Sequence, residues 1–99
     1  MKPKANANAK VRSPIRVGND VLIRTVTHFH TGRIEQITEQ EIVLSSAAWI
    51  ADTGRFANAL KGGKTSLGEV EPFPNPVSVN RGAIVDVTDW NGGLPTEQK

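Results

Sequence analysis

Short-period alternation of apolar and polar residues dominates the chain between Val21 and Thr88 and predicts strands. Val21 to His30 reads as one extended run: Val21, Ile23, Thr25, Thr27 and Phe29 share one face, and Leu22, Arg24, Val26, His28 and His30 share the other. Apolar residues stand on both faces at its start, which predicts a covered, central strand. A turn at Thr31-Gly32 and a second strand over Arg33 to Ile37 follow. After the polar turn Thr38-Glu39-Gln40-Glu41, Ile42-Val43-Leu44 opens a third strand that continues to Trp49-Ile50. A helix starting at Ser46 is the competing reading, because serine caps helices well.

The pattern then changes period. Phe56, Ala59 and Leu60 fall at i, i+3 and i+4, which predicts a short helix from Arg55 to Lys61. Asp52 or Thr53 would cap it, and Gly62-Gly63 would stop it. Prolines at 72, 74 and 76 make Glu69 to Pro76 an extended connector, since proline cannot donate to a central ladder. Val77-Ser78-Val79 is a short strand, Asn80-Arg81-Gly82 a turn and Ala83 to Thr88 the last strand, with Trp90 packing over an open end of the sheet. The fold class is mainly β (β-rich α+β): a small five-stranded bent sheet or barrel with one short inserted helix near 55–61.

Ninety-nine residues allow one domain. Residues 1–16 carry Lys2, Lys4, Lys10, Arg12 and Arg16 and no acid, and read as a disordered basic tail. Residues 17–90 form the β domain, and 91–99 read as a flexible C-terminal tail. A body of this size gains from a partner subunit, so self-association is expected. The net charge of +2 hides an asymmetry, because all ten acids lie after residue 16, where only seven of the twelve cations are found. Cysteine is absent, which excludes disulfides and thiolate metal sites. No apolar run reaches the length of a membrane helix, and no secretory leader is visible, so a cytoplasmic setting is expected.

Candidate chemistry is sparse. Asp52-Thr53-Gly54 has the form of an aspartic-protease motif, but Arg55 follows it where a small residue is usual, and a turn with a helix cap accounts for it. Gly62-Gly63-Lys64-Thr65-Ser66 matches only the end of a phosphate-binding loop, with Asn58 where the first glycine belongs. His28 and His30 could hold a metal, with Asp86 or Glu35 as a third ligand, which is the basis of a His-metal hydrolase reading. They serve better as hydrogen-bond donors in a ligand site, so no metal and no cofactor are expected. The expected ligand-binding set is Arg24, His28, His30, Arg81 and Trp49. In it the arginines contact phosphate, the histidines donate and Trp49 stacks or closes a subunit interface.

Two resemblances add to this reading. The strands around Gly32 and Ile42-Val43-Leu44, with the later Val79-Asn80-Arg81-Gly82-Ala83-Ile84-Val85, resemble the two-part signature of Sm-like (Lsm) and SH3-like small barrels. The chain lacks the Asp and Asn of the first Sm signature and begins with a basic segment in place of a helix. Arg24-Thr25, Gly32, Val43-Leu44, Ala47, Trp49, Gly54, the Phe56–Leu60 segment and Ala83-Ile84 resemble an uncharacterised family of short bacteriophage and prophage proteins. The second resemblance implies a viral or mobile-element origin and no activity. The Sm-like signature, the basic tail and the Arg24, His28 and His30 face lead to the expectation of a non-enzymatic, homo-oligomeric binding module of phage type, for nucleic acid or a nucleotide. The alternative is a virion or assembly adaptor that binds a phage structural protein and no small ligand.

Overall fold

The computed structural model describes residues 11–99. Of the basic segment expected at 1–16, residues 1–10 lie outside the described residues. Six strands form one antiparallel sheet: β1 (Asp20–Thr25), β2 (Phe29–Ile37), β3 (Glu41–Asp52), β4 (Glu69–Pro72), β5 (Val77–Asn80) and β6 (Ile84–Asp89). The order is β4-β3-β2-β1-β6, and β5 pairs the first half of β3 on the edge that β4 takes further along. The sheet is bent and unclosed. One helix, α1 (Phe56–Gly62), interrupts it and runs into a 3-10 turn at Gly63–Ser66. The mainly β class with one short helix is therefore what the chain adopts. Among the described residues no helix is long and apolar enough to cross a membrane.

The first turn falls earlier than the glycine suggests. Thr25 and His28 close it: the Thr25 amide donates to the His28 carbonyl (2.8 Å), and the His28 amide donates to Thr25 Oγ1 (3.0 Å). A threonine hydroxyl here does the work usually given to Gly or Pro. Thr31 and Gly32 instead lie inside β2, facing Leu22 and Val21. Gly32 is required there for space, because a Cβ would stand 2.9 Å from Leu44 Cβ and 3.3 Å from Ala47 Cβ. The helix entry also differs from expectation. Arg55 occupies the N-cap position and no side chain caps it. Asp52 Oδ1 instead accepts from the Gly54 amide (2.8 Å), a local turn at the end of β3.

Both faces of the sheet are covered. Leu22, Ala48, Ile50 and Val70 pack on one side with Ala59 of α1, Leu67, Trp90 and Leu94. Val21, Ile23, Ile34, Ile42, Leu44, Ala47 and Val79 pack on the other, where Ile15 and Phe73 also seat. Val21 to Ile23 are all buried, as the two-sided apolar start of the strand predicts. The connector expected at 69–76 begins as edge strand β4, paired from Glu69 to Pro72, and its prolines sit at the end of the pairing and beyond. Residues 91–99, expected as a tail, lie against the domain. Leu94 is buried, the Trp90 indole donates to Gly93 O (2.8 Å), and Lys99 exchanges two backbone hydrogen bonds with Val70.

Candidate functional site

His28, His30, Trp49 and Phe73 line one cleft of about 190 Å3. Each reaches it for a local reason. His28 is placed by the Thr25 turn, and its Nδ1 lies 2.6 Å from Thr27 Oγ1. His30 is the second residue of β2, opposite Ile23 on one side and Trp49 on the other. Trp49 reaches this face through a bulge in β3. Ser46 and Ala47 together oppose Gly32, between the pairs Arg33–Ser45 and Thr31–Ala48, and Ser46 has φ 48°. Without the extra residue, Trp49 would point to the opposite side, because a strand alternates its faces. Phe73 follows Pro72, and its amide donates to Ala47 O (2.9 Å), which holds it at the end of β4.

The rings contact one another in series. His28 meets Trp49 edge to face at 5.1 Å and His30 at 6.3 Å. His30 stacks on Phe73 with centroids 5.9 Å apart and planes 16° from parallel. Trp49 remains 38% exposed, unlike Trp90 at 4%. Burial, and then the nearby His28, hold the His30 pKa below the ordinary 6.5, so the ring is neutral near neutral pH. Its Nδ1 is buried with no hydrogen-bond partner. A bare acceptor at that atom costs less than an unpaired N–H, so the proton of the neutral ring belongs on Nε2.

The expected site residues divide. His28, His30 and Trp49 come together, and Phe73 joins them. Arg24 does not. With the turn at Thr25–His28, His30 shares a face with Ile23, and Arg24 lies on the opposite one with Leu22. Arg24 is committed to Asp86 on β6, with Nε 3.1 Å from Oδ2, a pairing that raises its pKa first through the hydrogen bond and then through the opposite charge. Arg81, at the 3-10 turn before β6, donates to Thr38 O (2.7 Å) and so ties that turn to the β2–β3 turn. Neither arginine lines the cleft.

The third metal ligands considered are also engaged elsewhere. Asp86 pairs with Arg24, and Glu35 accepts from Ser45 Oγ (2.5 Å). Among the described residues no group of three His, Cys, Asp or Glu could hold a metal ion. Phe73 is the member that reading the sequence missed. Its signal was an aromatic residue fixed between Pro72 and Pro74, where a stiff backbone holds a ring in place. No family model, no curated protein and no solved structure matches the chain.

Proposed function

We propose that the protein is a non-enzymatic binding module whose ligand inserts one compact group into the His28–His30–Trp49–Phe73 cleft. The observation that carries this reading is the convergence of four rings from the β1–β2 turn, β2, β3 and the end of β4 on one partly exposed opening. A cleft this small is below the size of a whole drug-like ligand site, so it takes one group of a larger molecule. The partial exposure of Trp49 is what supports the stacking half of the expected nucleic-acid or nucleotide ligand. The phosphate half no longer rests on Arg24 and Arg81, which are engaged elsewhere. The phage or prophage type of the module rests on its sequence resemblance.

Self-association is the second part of the proposal. It draws on β6, whose outer edge has no partner strand among the described residues and whose Val85 is exposed. The same open edge supports the adaptor reading, in which a virion or assembly protein supplies the missing strand. Light scattering across a concentration series separates the two: a discrete homo-oligomer supports self-association, and a monomer at every concentration contradicts it.

The test of the cleft is an NMR titration of isotope-labelled protein with cytidine, AMP and short lysine or arginine peptides. The proposal predicts that at least one probe moves the resonances of His28, His30, Trp49 and Phe73 and leaves the buried Trp90 indole in place. Silence at the cleft with every probe contradicts it.

A further inference from the structure

We infer that the group the cleft takes is the cationic head of a lysine or arginine side chain, presented on a segment of a protein partner. This rests on the cleft being the binding site and names what enters it. The lining is four rings with no lysine or arginine among them, and burial holds the His30 pKa below its ordinary value. Ring faces are negative, and a desolvated ammonium or guanidinium is attracted to them, most strongly by tryptophan.

The neighbouring strand adds charge of the right sign. Glu71 of β4 stands directly across the ladder from Trp49 and so on the same side of the sheet. Its carboxylate accepts only long hydrogen bonds from the neutral Gln98 amide, at 3.3 and 3.4 Å, and forms no ion pair among the described residues. A cation seated on Trp49 would therefore have a carboxylate within one cross-strand spacing. A nucleic-acid strand would bring phosphates toward that same carboxylate. A base-stacking platform needs cations beside its rings, and the two arginines expected there are committed to Asp86 and to Thr38 O. The size agrees, because a cleft of about 190 Å3 suits one side-chain head better than a nucleotide. The descending order of preference is arginine, then lysine, because guanidinium is the less hydrated of the two and stacks on rings.

The test uses the full chain and three blocked tripeptides with central Arg, Lys or Gln, with cytidine as the fourth probe. Binding is followed by NMR at the Trp49 indole and the two histidine rings. The expected result is saturable binding of the Arg and Lys peptides and none of the Gln peptide. Glu71→Gln should weaken the Arg peptide by about fivefold, and Trp49→Leu by about tenfold or more. Trp90 resonances report whether each variant remains folded. Cytidine binding without peptide binding overturns the cation inference and leaves the cleft as the binding site. Equal binding of the Gln and Arg peptides also overturns it. No response to any of the four probes overturns both.

Discussion

Trp49 faces His30 across the β2–β3 ladder because Ser46 adds one residue to β3 opposite Gly32. The bulge does two jobs. It lets Leu44 and Ala47 both close over Gly32, and it returns Trp49 to the side of the sheet that carries His30 and Phe73. Packing and site are thus set by one local irregularity.

Ser46 occupies left-handed backbone, which is unfavourable for a residue with a Cβ. Ser46→Gly should stabilise the fold by about 0.5–1 kcal/mol and leave the cleft intact. Urea unfolding gives the first quantity, and the Trp49 indole resonance the second. Lower stability would mean that the bulge does not hold Ser46 in this conformation.

The His30 proton is held more weakly in the folded protein than in the unfolded chain, chiefly through burial and then through His28. Between the lowered folded value and the ordinary 6.5, the unfolded state binds more protons. Stability is therefore greatest above that window and falls as the pH drops through it. His30→Phe, which cannot titrate and can still stack on Phe73, should remove most of this loss. Unfolding midpoints at about pH 7.5 and about pH 5 test it. An equal loss in the variant would assign the pH dependence to other groups.

Thr31 is fully buried beside Leu22, and its hydroxyl has no partner. Valine has nearly the same shape and no polar atom to desolvate. Thr31→Val should raise stability by about 1 kcal/mol, read from the urea midpoint at constant slope. A loss of similar size would show that the hydroxyl is satisfied in solution.

Leu94 packs with Leu22, Ala59 and Trp90, and the segment after it ends in paired hydrogen bonds between Lys99 and Val70. Leu94→Ala should cost about 2–3 kcal/mol and speed amide exchange at Val70 and Lys99. An unchanged midpoint would return residues 91–99 to the status of a tail.

The β class was legible in the sequence because Val21 to Ile23 and Ile42 to Leu44 are unmistakably strand-like, and the short helix was legible from Phe56, Ala59 and Leu60. The first turn was not. Gly32 is the stronger turn signal by residue type, yet it serves close packing, while Thr25 and His28 make the turn through a hydroxyl. That shift separated Arg24 from His30, because a change of turn position changes which residues share a face. His28, His30 and Trp49 remained together for a reason the sequence does not display, namely the Ser46 bulge. Leu94 escaped notice because one leucine among Gly, Pro and polar residues has no period.

The central claim is that the ring cleft, and not the arginines, receives the ligand. Its most direct test compares Trp49→Ala, Arg24→Ala and Arg81→Ala against wild type, using the tightest of the Arg peptide, the Lys peptide and cytidine. The account predicts that Trp49→Ala loses about tenfold or more in affinity, while both arginine variants bind as wild type does. Wild-type binding by Trp49→Ala, with loss in Arg24→Ala or Arg81→Ala, would contradict it and move the site to the arginines.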